Sequence, residues 1–464
     1  MKKKLLAVAA AGALTAATAV PALALENEFH GMFRLFGTVA NYGQSNSSTG
    51  ATSGSTLTAP ELADNAPTRN FVEQRARLMY IAKANDDLKL VTHFEIDSRW
   101  GDSSYTNGRN VGGAIGADTV DIETKNVYLD FNIPSTPMNF KVGIQPFIDS
   151  YGGIFVNADI AGAQAIAKYA GFTNTLGFFR FTEAVGTLPG KADRDLFVAD
   201  VKYDITKDIK LGGSYYLMHS DLVVTPGVGN PNAYTHMVGL NSSMKFDPVT
   251  LNVFGLYQFG DNPGPISSSN TGNAINTPAT RNSKVDAYAL GATAKAKLGP
   301  GTLKLAGIYV SGEQQTPAGA AGKDTGAFQA VAGESNFFAA DMYILLRNKY
   351  NINSDRALVH TVSNVTGGFI GYDANITSKL FANVNVGAAW AAQVTNKGTA
   401  SEPDSNYLGT ELNAEVGYRL FDNMTASVLG AYVILGDFYQ KTKGGTDNNF
   451  DDPYRASLML NYAF

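Results

Sequence analysis

The sequence predicts an all-β fold: a transmembrane, antiparallel up-and-down β-barrel of about eighteen strands, with long loops at one end and short turns at the other. Three observations carry this expectation. The chain closes on a strand with one oily face, since Ala456, Leu458, Leu460, Tyr462 and Phe464 fall on every second position. Short Gly- or Pro-marked turns alternate strictly with long polar connections. Most segments between them have an apolar side and a charged or polar side, one suited to hydrocarbon and one to water.

Composition agrees. The 464 residues include 48 Gly, 22 Tyr and 26 Phe, and only 17% are charged, a mix that suits close-packed strands with aromatic belts. After the N-terminus no run reaches the roughly eighteen apolar residues that a membrane helix needs. The lack of cysteine removes disulfides, thiolate metal sites and haem attachment through C-x-x-C-H. A formal charge of −5 with no basic stripe gives no case for a nucleic-acid partner.

In order along the chain, residues 1–24 read as a cleaved secretory leader: basic Lys2 to Lys4, an apolar run, then Ala22-Leu23-Ala24. The mature chain, 25–464, is then one barrel domain. Its first strand sends Phe29, Phe33, Leu35 and Val39 one way and His30, Arg34 and Thr38 the other. After a loop at 41–69, the second strand (about 71–84) separates Val72, Ala76, Leu78 and Tyr80 from Glu73, Arg75, Arg77 and Lys83. The third alternates Leu90, Thr92, Phe94, Ile96 and Trp100 with Lys89, His93, Glu95, Asp97 and Arg99. Further tight turns are expected at 134–137, 171–174, 206–208, 247–248, 299–301, 377–379 and 421–423. Long connections are expected at 101–118, 147–158, 186–194, 220–232, 261–282, 312–360, 394–407 and 439–452. Counting passes gives eighteen strands with both chain ends at the short turns, and sixteen as the nearest alternative. The count takes weakly patterned 159–169 as a strand and 337–350 as a short helix or lid segment inside the longest loop. Tyr203, Tyr372 and Tyr418 sit where an interfacial girdle belongs.

In a barrel this wide, side chains cannot fill the centre, so a water-filled channel follows unless loops plug it. Inward positions collect Arg34, Arg75, Arg77, His93, Arg99 and Lys141, with Lys168 and Arg180 further round, a basic wall. Two readings of the arginines stand together: they read solutes, or they pair internally with Glu73, Glu95 and Asp97. Inward aromatics, Phe36 and Phe178, are too few for a sugar slide. The run 444–452 offers oxygens for calcium or is a solvated loop. Five scattered histidines, with no H-E-x-x-H, no G-x-S-x-G and no phosphate-binding glycine loop, argue against an enzyme and against a cofactor.

Tyr462 and Phe464 at the terminus, and the strand Lys141-Val142-Gly143-Ile144-Gln145 leading into the third long loop, resemble the outer-membrane porins of Gram-negative bacteria. The resemblance implies location in the cell outer membrane among lipid and lipopolysaccharide, assembly machinery that reads Tyr462 and Phe464, and a homotrimer. It also implies an infolded third loop, 145–159, whose Asp149 and Asp159 face the basic wall. Opposed charges there set up a transverse field that favours small hydrophilic solutes and ions. Two alternatives are a substrate-selective eighteen-stranded channel, and a scaffold barrel sheathing a periplasmic partner such as a cytochrome.

Overall fold

Alternating segments do become strands. The computed structural model describes residues 25–42, 62–102, 112–116, 121–183, 193–220, 232–262, 284–313, 324–331, 334–346, 350, 352, 357–394, 397–445 and 447–464. The expected leader, 1–24, and 43–61 of the first long connection lie outside the described residues. The strands are β1 (Glu26–Ala40), β2 (Arg69–Asn85), β3 (Leu88–Arg99), β4 (Glu123–Asn132), β5 (Met138–Ile148), β6 (Asn157–Tyr169), β7 (Phe172–Thr182), β8 (Arg194–Asp204) and β9 (Ile209–Ser220). They continue as β10 (Ala233–Phe246), β11 (Val249–Asp261), β12 (Lys284–Leu298), β13 (Gly301–Val310), β14 (Val365–Asn375), β15 (Leu380–Ala391), β16 (Tyr407–Phe421), β17 (Met424–Leu435) and β18 (Tyr454–Ala463).

Each strand pairs antiparallel with the next, and β18 returns to β1 from Met32↔Ala463 to Ala40↔Arg455. Closure satisfies the backbone of every strand without water, the condition for crossing hydrocarbon. The weakly patterned 159–169 lies within β6, so eighteen strands stand and sixteen do not. Two boundaries differ from expectation. Only Ala170 and Gly171, both at positive φ, separate β6 from β7, because left-handed backbone at two residues reverses the chain at once. The third long connection is only 149–156, since Phe147 and Ile148 still pair with Ala158 and Asn157.

The outer surface is oily all round: Leu176, Leu240 and Leu458 are each about two-thirds exposed, at 64%, 66% and 65%. So continuous an apolar belt is a surface for lipid. Tyr203 and Tyr418 are exposed beside the short turns, and Tyr372 donates its hydroxyl to the Leu298 carbonyl there at 2.6 Å. Phe178 also faces outward and Phe179 inward, correcting the expected inward Phe178. The alternation is right but its phase is set by pairing with β6 and β8.

At the seam, Gly31 and Phe464 exchange backbone hydrogen bonds of 2.8 and 3.0 Å, and the Phe464 ring lies where a Gly31 side chain would go. Gly31→Leu is therefore expected to push the terminal ring out and weaken closure. The variant barrel should lose its folded gel mobility at a lower temperature than the parent, and an unchanged transition would reject this account of the seam.

Inside, the described parts of the third and seventh long connections turn back into the lumen. Tyr151, Ile154, Phe155 and Val156 of the third connection, and Phe328, Val331, Phe337, Ile344, Leu345 and Leu358 of the seventh (311–364), form one buried apolar cluster. They pack on inward residues of β8 to β17, including Leu196, Tyr216, Met237, Ala289, Val310 and Leu429. The described residues of 337–350 belong to this infolded connection and hold one 3-10 turn, Phe338–Ala340.

Candidate functional site

The site is the charged lumen wall on β18 and β1 to β5, which contributes few residues to the main apolar cluster. Antiparallel register stacks its charges in rows: Arg34↔Arg75, Arg75↔Asp97, Arg77↔Glu95 and Glu73↔Arg99. The side chains complete these pairings. Arg75 binds Asp97 in a fork at 2.7 and 2.6 Å and reaches Glu95 at 3.1 Å. Arg77 meets Glu95 at 2.5 Å, and Arg99 meets Glu73 at 3.1 Å. Three of the expected solute-reading arginines are thus ion-paired with their own wall, the second of the two readings, and Glu73 serves as a partner.

Arg34 differs. It donates to Asn461 at 3.2 Å, stacks over the Tyr350 ring at 5.2 Å, and makes no ion pair among the described residues. His93 lies lower on β3 against Asn126, 3.3 Å away. Lys141 lies over Tyr128 at 5.9 Å, also with no ion pair among the described residues.

Three expected positions move. Asp149 does not face the arginines: its carboxylate accepts the backbone N–H groups of Tyr151, Gly153, Phe155 and Val156 at 2.7 to 3.0 Å. Gly152 and Gly153, at φ +83° and +89°, let the loop curl round it, which few other residues permit. Burial outweighs these donors and holds the Asp149 carboxyl above the usual range, so its work is to shape the loop. Asp159 belongs to β6 and is held by Lys125 and Asn126, the latter at 2.7 Å, so it braces the wall and does not sit on a loop facing it. Arg180 alternates with inward Phe179 and therefore faces outward, at the long-loop rim, where Asp195 (2.9 Å), Asp193 (3.2 Å) and Glu183 (3.3 Å) surround it.

The acidic side of the lumen comes from a place the sequence reading left unassigned. On β16, buried Glu411 accepts the N–H groups of Tyr343, Ile344 and Leu345 at 2.7 to 2.9 Å, anchoring the seventh connection. Two residues beyond Asn413, Glu415 accepts from Asn383 at 3.1 Å and lies within electrostatic range of Arg34. Asp341, at the end of the 3-10 turn, binds Lys304 at 2.5 Å. From this side the plug crosses to the basic wall, where Ile352 packs on Phe36 and its carbonyl accepts from Arg75 at 2.9 Å. A transverse charge arrangement exists, but its acids belong to β16 and the seventh connection. The only signal in the sequence was the alternation of Glu411, Asn413 and Glu415, which marks a wet face and says nothing of what faces it.

In the run 444–452, Asp451 accepts from the Ala66 N–H at 2.8 Å, and Asp452 from the Leu435 N–H at 2.9 Å and the Tyr432 hydroxyl at 2.7 Å. These carboxylates staple loops together. Among the described residues no group of three or more His, Cys, Asp or Glu is placed to hold a metal.

No family model and no curated protein matches the sequence. Solved structures do match in shape. The outer membrane protein opdK from Pseudomonas aeruginosa aligns with TM-score 0.53 at 11% identity, over 95% of this chain and 98% of its own. A BenF-like porin from Pseudomonas fluorescens Pf-5 gives 0.51 at 13%, over 95% and 98%. Pseudomonas aeruginosa OccK2 (OpdF), solved in complex with glucuronate, gives 0.52 at 13%, over 95% and 96%. At such identity the likeness carries the fold alone: the chain is a closed eighteen-stranded antiparallel β-barrel, similar in shape to these structures over nearly its whole length.

Proposed function

We propose that this protein is an outer-membrane channel through which small hydrophilic solutes and ions diffuse passively, and that it is not an enzyme. The observation that carries the reading is one barrel with a continuous apolar exterior and a charged inner wall narrowed by its own loops. Of the solved structures of the same fold, one is an outer membrane protein by name and another a porin by name, which supports it. On this reading the leader 1–24 is removed after Ala24 in export, the assembly machinery reads Tyr462 and Phe464, and lipid with lipopolysaccharide surrounds the barrel. Arg34, Arg77, His93, Arg99 and Lys141 line the path, and Asp149, Asp159, Glu73 and Arg75 hold its shape. A homotrimer rests on the resemblance to general porins and is tested by native mass in detergent, where a single-chain mass would reject it.

A substrate-selective channel is the second reading. The contact of Tyr350 with Arg34, facing acidic Glu415, favours it, because a narrow charged constriction selects more than a wide bore. The glucuronate held by OccK2 makes small acidic sugars a first panel to test. The sheath reading requires a bore kept clear for a partner, and the infolded apolar cluster occupies that space.

Planar-bilayer recording of the purified protein tests the channel. Discrete steps of ionic current are expected, whereas a protein that inserts and passes no current would reject the proposal.

A further inference from the structure

On the arginine wall, Arg75, Arg77 and Arg99 carry their own neutralising carboxylates, which leaves Arg34 and Lys141 as its cations without an ion pair among the described residues. On the far side of the barrel, the last residues of β6, β8, β10 and β12 before the short turns carry Lys168, Lys202, Lys245, Lys295 and Lys297. All five are exposed, and among the described residues none makes an ion pair. Their direction follows from register. Lys202 lies between outward Val201 and Tyr203, Lys245 precedes outward Phe246, and Lys297 precedes outward Leu298, so the lysines take the lumen side. Lys168 and Lys202 both pair with Thr173, and Lys245 and Lys295 both pair with Thr250, which puts each two on one face. On the strands from β6 to β12, the inward carboxylates are Asp204, which binds Lys210 at 3.2 Å, and Asp200, which is buried against the Tyr216 hydroxyl.

We infer that this lysine arc makes the short-turn mouth an anion-attracting vestibule, and that the charge selectivity of the channel is set there and not at the arginine wall. The inference rests on the channel reading. Lysines on alternate strands lie roughly 10 Å apart, about a Debye length at physiological salt, so they act on a passing anion as a field and do not close round it as a binding site. The solute class favoured is therefore small anions in general.

The test is reversal potential in a planar bilayer under a KCl gradient, for the parent, for the fivefold Lys→Gln variant at 168, 202, 245, 295 and 297, and for Arg34→Gln. The parent is expected to prefer chloride. The lysine variant should lower the chloride-to-potassium permeability ratio by about threefold or more, Arg34→Gln by less, and the difference should vanish near 1 M salt as screening shortens to about 3 Å. A cation-selective parent, or a lysine variant with the parent's ratio and normal conductance, would overturn the inference while leaving the channel intact. Absence of any current in the parent would instead sink the channel reading and the inference with it.

Discussion

Replacing Glu411 by alanine is expected to free the seventh connection from the lumen wall and raise single-channel conductance about twofold or more, with added current noise. The carboxylate holds three consecutive backbone N–H groups, those of Tyr343, Ile344 and Leu345, and also the side-chain amide of Asn413 at 2.8 Å. Each buried donor left without an acceptor costs about 1–3 kcal/mol, so three orphaned together favour release of the segment to water. The strand ladder of β16 is untouched, so the barrel still assembles. Glu411→Gln keeps one acceptor oxygen and should fall between parent and alanine variant. Currents from Glu411→Ala that match the parent in size and noise would show that the plug is held by other contacts.

The second large effect is on stability. Arg75→Ala leaves Asp97 and Glu95, 3% and 4% exposed, with their principal cation removed. Breaking a buried pair from one side costs about 3–5 kcal/mol, because the remaining charge stays desolvated. Arg77 still meets Glu95, so the penalty centres on Asp97. The temperature at which the folded barrel changes gel mobility should drop clearly for Arg75→Ala and hardly for Arg34→Ala, which breaks no ion pair among the described residues. Combining Arg75→Met with Asp97→Leu should recover much of the loss. Equal behaviour of the two single variants would mean that the paired arginines do not hold the wall.

The two predictions separate groups that the sequence presents alike. Arg34 and Arg75 occupy the same inward row, yet one makes no ion pair among the described residues and the other forks onto a carboxylate. Asp149 and Glu411 look like carboxylates offered to water, and each instead organises a turn of backbone. Both cases turn on what lies across the lumen, which alternation along one strand does not encode. A partial signal was present in β12, where Val285, Ala287 and Ala289 make the inward side as apolar as the outward. A strand end without a wet face announces that something covers it.

The sequence by itself determined the barrel: a two-residue period assigns each side chain to lipid or lumen, and turn chemistry at short intervals orders the strands, both being local properties of the chain. Only the tertiary structure decided what the lumen contains. Arg75 and Ile352 meet across 277 residues of sequence, and Glu411 and Tyr343 across 68. Such contacts arise because a closed wall brings distant loops together and exposed apolar loop residues gain by packing on its inner face, a gain that exists only after the wall has closed.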